Sequence, residues 1–425
     1  MIENLRRRML DEDLKRSRRV VLGGTAAGAA ALLAAKGIRL TAAQDGTPVS
    51  SPEAAVQYAY VGSNARAQIV DGTPVAEPIG ITVFAIDPAT GALSEIQTIS
   101  SDFAFYFAFD ADQTHLYVVN VIADYNGGPN GSGEAYARDP ETGLLTFINR
   151  VDAGGGVSAH PAVSPSGKWL LVANYGGQNV TVLPINEDGS LGEVVSEVKR
   201  EGTGPNTARQ DQSRPHAVVF DPTGNVVAVA DLGTDNVATY SLNDETGELT
   251  LVSEVNSQPG SGPRHIVFNS DGTLMYVNNE LDATINVFAF DPATGTIGEI
   301  LQTVSTVPDP FEGTKSTAEI EIDPSGRFLY NSNRGQPDTV TPEGDAIVAW
   351  SIDPDTGFLT LIGYTTEGIG DPESFQIDPA GTYLYVVNAA DSTVTQYAID
   401  QETGALTLTG DATPVPFPFD IIISS

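Results

Sequence analysis

One short motif recurs along this chain and constrains the fold more than any other feature. Its pattern is Asp-x-x-Thr-Gly-x-Leu, and it occurs as DPATGAL (87–93), DPETGLL (139–145), the shortened NEDGSL (186–191), NDETGEL (243–249), DPATGTI (291–297), DPDTGFL (353–359) and DQETGAL (400–406). These seven copies lie about 52 residues apart on average. A period of this length is typical of propellers and solenoids, in which each repeat is one supersecondary unit.

A second turn motif alternates with the first and completes each repeat. It occurs as SPSG (164–167), DPTG (221–224), NSDG (269–272), DPSG (323–326) and DPAG (378–381). Asp, Asn, Pro and Gly favour tight turns, and the segments between the turns alternate apolar and polar residues, as strands do. Each repeat therefore predicts four short strands. Seven repeats predict an all-β, seven-bladed β-propeller with four antiparallel strands per blade over residues 57–425.

The two ends of the repeat array predict how the ring closes. The first repeat has a second strand (59–64) and a third strand (80–87), but no segment before them to act as its first strand. Residues 416–424 (PFPFDIIIS) follow the last repeat and resemble a first strand that lacks a second. We therefore expect the C-terminal segment to be the innermost strand of blade one.

Residues 1–43 have the pattern of an export signal. Ser17-Arg18-Arg19 precedes an apolar run over residues 20–35, and Thr41-Ala42-Ala43 offers a small-residue cleavage site. Paired arginines here are typical of the twin-arginine route, and the apolar run is too short to span a bilayer. We expect recognition by the twin-arginine export machinery, cleavage near Ala43, no stable membrane anchor, and a periplasmic or extracellular mature protein. We expect residues 44–56 to form a flexible spacer between the signal and the propeller.

Charge and composition exclude several classes of function. The chain has 55 acidic and 21 basic residues, for a formal net charge of −34, and its first 44 residues hold nine of the basic ones. An acidic surface repels phosphate backbones and anionic lipids, so we expect no nucleic-acid partner. The chain has no cysteine, which removes thiolate nucleophiles and Cys-based zinc sites. The aspartates of the repeated turns lack the spacing of a calcium loop and are expected to cap the turns.

Propeller geometry predicts where scattered polar residues meet. In each blade the first and second strands are antiparallel, so the start of the first and the end of the second lie at the same mouth of the central channel. Three of the four histidines and three arginines fall at these positions, together with two glutamates and an asparagine. They are His160, His216 and His265, Arg214, Arg264 and Arg334, Glu280 and Glu319, and Asn279.

These residue types at one mouth indicate an anion site with an acid–base partner. A guanidinium group matches carboxylate or phosphate and can stabilise an oxyanion, while a nearby His or Glu can act as a general base. Because arginines are interleaved with the histidines, we expect no metal ion. A competing interpretation, open above all for His160 and His265, is that these side chains only tie neighbouring blades together.

Several of these segments resemble the seven-bladed 6-phosphogluconolactonase family, whose fold includes the carboxy-muconate lactonizing enzymes. They are ANYGGQNVTVLPI (173–185), RPHAVVFDPTG (214–224), GSGPRHIVFNSDG (260–272), NNELDATINVF (278–288) and AEIEIDPSGRFLYNSNRG (318–335). The resemblance implies opening or closing of a lactone ring without a cofactor. It places the active-site groups at His216, Arg264, Glu280 and Arg334. The rim residues then expected to bind substrate are His160, Arg214, His265, Asn279 and Glu319.

The chain departs from the family pattern at two rim positions. Arg214-Pro215-His216 stands where the family commonly has His-x-His, and Pro372-Glu373-Ser374 stands where it usually has Pro-Arg-Asn. The second difference removes a cation and adds a carboxylate. Both differences, and the export signal, weigh against the family's phosphosugar specificity.

We therefore expect an exported, monomeric hydrolase of the lactonase type that acts on a small-molecule lactone or anionic substrate. Arg264 and Arg334 would hold the anionic group and the developing oxyanion, and Glu280 or His216 would activate water. Two alternatives stay open. One is a non-catalytic propeller that binds a protein or glycan, and the other is a muconate-type cycloisomerase that starts from a linear diacid.

Overall fold

The structure is a computed structural model that describes residues 56–64, 68–70, 73–76, 79–335 and 342–425. The predicted export signal (1–43) and residues 44–55 of the predicted spacer lie outside the described residues. In the described part of the chain, no helix has the length and apolar composition needed to cross a bilayer.

The described chain forms seven four-stranded antiparallel sheets and one short hairpin. Blade one contains β1 (Tyr58–Ser63), the hairpin β2 (Gln68–Val70) and β3 (Thr73–Ala76) as an insertion, β4 (Ile79–Ile86) and β5 (Leu93–Ser100). Blade two contains β6 (Ala104–Phe109), β7 (His115–Asn120), β8 (Ser132–Arg138) and β9 (Leu145–Asp152). Blade three contains β10 (Ser158–Val163), β11 (Trp169–Asn174), β12 (Asn179–Pro184) and β13 (Ser196–Lys199).

The remaining blades repeat the same up-and-down order. Blade four contains β14 (Pro215–Phe220), β15 (Val227–Asp231), β16 (Asn236–Leu242) and β17 (Leu249–Asn256). Blade five contains β18 (Pro263–Phe268), β19 (Leu274–Asn279), β20 (Thr284–Asp291) and β21 (Thr296–Ser305). Blade six contains β22 (Thr317–Ile322), β23 (Phe328–Asn333), β24 (Ala346–Ile352) and β25 (Leu359–Thr365). Blade seven contains β26 (Pro372–Ile377), β27 (Tyr383–Asn388), β28 (Thr393–Ile399) and β29 (Leu406–Pro414), and β30 (Pro418–Ile423) follows it.

This architecture confirms the predicted seven-bladed propeller and its closure. The first blade has the strand order β30-β1-β4-β5, so its innermost strand comes from the C-terminus. Ala59 is paired with Ile423 and Val61 with Ile421 in an antiparallel register. The first strands contact one another around a complete ring, from β30 through β6, β10, β14, β18, β22 and β26 back to β30. Two short 3₁₀ turns lie in connections between strands: Tyr125–Gly127 lies between β7 and β8, and Pro342–Gly344 lies between β23 and β24.

The Thr-Gly turns tie each blade to its neighbour, which explains why the motif recurs. Within the turn, Oδ1 of Asp87 accepts hydrogen bonds from the backbone N–H groups of Ala89 and Thr90, at 3.0 and 2.9 Å. Gly91 takes the left-handed conformation, with φ +71°, which glycine adopts without steric cost. Its carbonyl then accepts a hydrogen bond from the buried hydroxyl of Tyr385 in blade seven, at 2.7 Å. The aspartates therefore cap turns, as predicted.

Equivalent tyrosine bonds join further blades along the ring. In each case a second-strand tyrosine donates its hydroxyl to the carbonyl of the turn glycine in the next blade. The pairs are Tyr60 with Gly143, Tyr117 with Gly189, Tyr276 with Gly357, and Tyr330 with Gly404. The chain thus satisfies a buried hydroxyl and a turn carbonyl together, while apolar side chains fill the space between blades.

Deleting residues 414–425 should open the ring. The deletion removes β30 and exposes its partner β1, and the loss of buried Ile421 and Ile423 alone costs about 3 kcal/mol or more. We expect a clearly lower thermal unfolding midpoint by circular dichroism. A variant lacking only residues 1–43 is the control and should keep its midpoint. An unchanged midpoint in the C-terminal truncation would contradict the closure.

Candidate functional site

A β-bulge near the start of every first strand builds the channel mouth. In blade five, Pro263 pairs with Asn279 and His265 with Asn278, so Arg264 is the extra residue. The register shifts at the same place in all seven blades. Bulges re-aim side chains. The residues at this position are Phe105, Ala159, His216, Arg264, Glu373 and Phe419, with Ala318 in the wider shift of blade six.

Two arginines and two glutamates form a buried ion-pair network at this mouth. Nη2 of Arg264 lies 2.8 Å from Oε1 of Glu373, and its Nε lies 3.3 Å from Oε2 of Glu280. Arg334 pairs with the same two carboxylates, at 3.2 Å from Oε2 of Glu280 and in a shorter contact with Glu373. Arg264 has 0% of its surface exposed. It also donates to the carbonyl of Ala318 at 2.6 Å, so buried charges are paired and hydrogen-bonded.

A third arginine reaches the network from outside the repeats. Arg209 lies in the connection between β13 and β14, forms an ion pair with Glu280, and contacts the hydroxyl of Tyr175 at 3.5 Å. Burial alone would raise the pKa of Glu280. The charges of Arg209, Arg334 and Arg264 outweigh that effect and lower the pKa to about 2. Glu280 is therefore ionised at any physiological pH and is a weak base.

His265 connects this network to a second carboxylate. Its Nε2 lies 3.1 Å from Nη1 of Arg264, and its Nδ1 lies 2.8 Å from Oε1 of Glu319. Burial and the charge of Arg264 hold the pKa of His265 well below its usual value, so the imidazole is neutral. In the tautomer that satisfies both contacts, Nε2 accepts from Arg264 and Nδ1 donates to Glu319. One neutral ring therefore links the arginine network to Glu319.

The other two rim histidines pack against His265. Its ring centroid lies 5.3 Å from that of His160 and 5.2 Å from that of His216. Burial and His265 lower the pKa of His160 to about 3, and burial and Arg264 hold the pKa of His216 well below its usual value. Among the described residues, no hydrogen-bond partner reaches Nδ1 of His216. That nitrogen is buried and unpartnered among these residues, and His216 as a whole is only 4% exposed.

A cavity of about 190 Å³ lies against this layer, further along the first strands. Glu319, His160, Tyr106 and Asp420 line it, among others. Burial raises the pKa of Glu319 and raises that of Asp420 well above its usual value. The shift at Glu319 is opposite to the shift at Glu280, because Glu319 lacks a comparable set of arginine contacts. The cavity is polar and large enough for several water molecules.

The structure brings most of the predicted site residues together. His160, His216, His265, Arg264, Arg334, Glu280 and Glu319 form one connected cluster. Arg214 lies beside it, with its guanidinium 4.9 Å from the centre of the Tyr175 ring and an ion pair to Asp211. Asn279 instead points its amide into blade five, where Nδ2 donates to Thr284 at 2.9 Å.

Sequence reasoning missed three contributors to the cluster. Tyr106 of blade two lies at the register position that His265 occupies in blade five, and its hydroxyl is 3.4 Å from Arg264. Aligning blade two with the others would have found it. Glu373 stands at the start of a first strand but was not among the predicted site residues, and its place at the bulge, paired with Arg264 and Arg334, makes it part of the cluster. Arg209 lies in an irregular connection, where no repeat could point to it.

Comparison with known proteins agrees with this architecture. The chain matches the family described as "Lactonase, 7-bladed beta-propeller" over residues 59–423. It is 34% identical to a 6-phosphogluconolactonase of Bacillus subtilis strain 168 over 341 residues, which cover 80% of this chain and 93% of that relative.

Solved structures are similar across almost the whole propeller. The periplasmic gluconolactonase of Pseudomonas aeruginosa matches with a TM-score of 0.77 and 29% identity, covering 87% of this chain and 99% of that one. A protein from Lactobacillus plantarum matches with a TM-score of 0.75 and 28% identity, covering 87% and 100%. From its sequence match and its fold, the chain belongs to the seven-bladed β-propeller lactonase family.

Proposed function

We propose that this lactonase hydrolyses an extracytoplasmic small-molecule lactone at the channel mouth, with water as the nucleophile and no cofactor. The observation that carries the proposal is the hydrogen-bonded run from Arg264 through His265 to Glu319. In this run, the imidazole ring of His265 separates the positively charged arginine network from Glu319, a carboxylate with a raised pKa. Ester hydrolysis needs this pair, because one side must stabilise an oxyanion and the other must take a proton from water.

The arginines have two roles: one holds other side chains in place, and the others can contact the substrate. Arg264 is fully buried, so it acts by holding Glu280, Glu373 and His265 in place. Arg334 and Arg209 keep 17% and 34% of their side chains exposed and can donate to a lactone carbonyl oxygen. His216 is buried against His265 and, like Arg264, acts by positioning its neighbours.

Glu319 suits the role of general base better than Glu280. A catalytic base works best when its pKa lies near the operating pH, and of these two carboxylates Glu319 is the one whose pKa is shifted in that direction. Its side chain faces the polar cavity and is 15% exposed. Glu280 is held by three guanidinium groups, so its function is to orient them.

The reaction then runs in two balanced steps. Water loses a proton to Glu319 as its oxygen bonds to the carbonyl carbon, and the carbonyl oxygen becomes an oxyanion that the positive charge of the arginine network across His265 stabilises. The oxyanion collapses, the ring carbon–oxygen bond breaks, and the leaving alkoxide takes a proton from the protonated Glu319. The product is the open-chain hydroxy acid.

The first test is hydrolysis of sugar and non-sugar lactones, compared in the wild-type protein and the Glu319→Gln variant. We expect kcat to fall about 100-fold or more in the variant while KM changes little, because the lost group acts on water. Glu134→Gln is the control, since Glu134 is a buried glutamate that is ion-paired with Arg150 and lies in the third strand of blade two, away from the cluster. If no lactone in the panel is hydrolysed faster than it hydrolyses spontaneously in buffer, the lactonase proposal is wrong.

The pH profile separates the two candidate bases. A base must be ionised, so kcat/KM should rise with pH through the pKa of Glu319, which burial places above the ordinary value of 4.5. Activity should therefore be lost already in mildly acidic buffer. If kcat/KM, corrected for spontaneous hydrolysis, stays flat down to pH 4, the base is Glu280, whose pKa is about 2.

Export is tested by replacing the paired arginines of the leader. In a host with twin-arginine machinery, the double substitution Arg18→Lys and Arg19→Lys should leave uncleaved protein in the cytoplasm, because that machinery reads the arginine pair. The double substitution Arg7→Lys and Arg8→Lys is the control and should leave export intact. Normal export of the first variant would refute the route.

A further inference from the structure

The mouth contains many charged groups, but few of them are available to a ligand. The guanidinium nitrogens of Arg264 already contact Glu280, Glu373, the carbonyl of Ala318 and His265. The guanidinium group of Arg264 therefore has no side open for a bidentate anion, which is the contact by which arginine binds phosphate.

Arg334 is engaged in the same way, whereas Arg209 makes its contacts through Nη2 alone. Arg334 contacts Ser316, Glu280 and Glu373 through its three nitrogens. Arg209 contacts Glu280 and Tyr175, and Arg214 pairs with Asp211. A hydrogen bond to one carbonyl oxygen can still form at the exposed edges of Arg334 and Arg209. A phosphate group, with a charge of about −1.5 to −2 at pH 7, would have to displace carboxylates to reach Arg264 and Arg334.

Glu373 is the group that closes the arginine pair. It bridges Arg264 and Arg334, is 4% exposed, and stands at the bulge position that Arg264 occupies in blade five. Without its charge, Nη2 of Arg264 and Nη1 of Arg334 would each lose a carboxylate partner. That arrangement would suit an anion.

The rest of the protein adds to this preference. Beyond the first 44 residues the chain has 12 basic and 51 acidic side chains. The summed field of such a domain repels anions as they approach, and the repulsion weakens with ionic strength.

We propose that the substrates of this enzyme are uncharged lactones, and that Glu373 is the residue that excludes phosphorylated ones. The proposal rests on the lactonase function proposed above and adds its substrate class. Glu373 sets specificity by occupying, as a built-in carboxylate, the place that a substrate anion would take.

The test compares kcat/KM for glucono-1,5-lactone and its 6-phosphate in the wild-type protein and the Glu373→Gln variant. We expect the wild type to prefer the uncharged lactone by about tenfold or more, and the variant to lose about tenfold of that preference, because like charges no longer meet. Glu134→Gln is the control and should keep the wild-type ratio. A wild type that prefers the phosphorylated lactone, or an unchanged ratio in the folded variant, overturns the proposal.

A second measurement needs no variant, in case Glu373→Gln fails to fold. In the wild type, kcat/KM for the phosphorylated lactone should rise with added sodium chloride, while the value for the uncharged lactone stays constant. A fall with salt means that the site attracts the phosphate and overturns the proposal. If neither lactone is hydrolysed, the lactonase function itself fails and this inference falls with it.

Discussion

The pairing of β30 with β1 is the interaction on which the rest of the structure depends. It joins the last residues of the chain to the first described strand and completes the ring of first strands. The site exists only in the closed ring, because its contacts run between distant blades. Arg264 of blade five reaches Tyr106 of blade two and Glu373 of blade seven, so loss of closure would separate groups far apart in sequence.

Much of the fold could be predicted because it is local and repeated. The Thr-Gly turns, the alternating strands and the unmatched ends each follow from neighbouring residues, and they predicted seven blades and the closing strand. The bulges could not be predicted. Nothing around Arg264 distinguishes an extra residue from an ordinary strand residue, and the shift is a property of two paired strands.

The candidate site was predicted from one geometric rule, namely that the starts of the first strands and the ends of the second strands lie at the same mouth of the channel. That rule brought His216, Arg264, Glu280 and Arg334 to one mouth, and the structure places them in one cluster. It gave no information on burial. The difference between Glu280, whose pKa is about 2, and Glu319, whose pKa is raised, depends on how many guanidinium groups contact each carboxylate. Arg209, which helps to set that difference, lies in an irregular connection.

The bulge at the start of each first strand has a consequence for how such an enzyme can diversify. The extra residue stands outside the ladder, so its side chain can be exchanged while the pairs on either side keep their partners. The ties between blades lie elsewhere, in the tyrosine and turn-glycine bonds. Ligand preference can thus evolve by substitutions at these positions while the strand pairing of each blade is kept, provided that the charges in the buried network stay matched. Arg264 in blade five and Glu373 in blade seven occupy the same bulge position, so one position in the fold carries either charge.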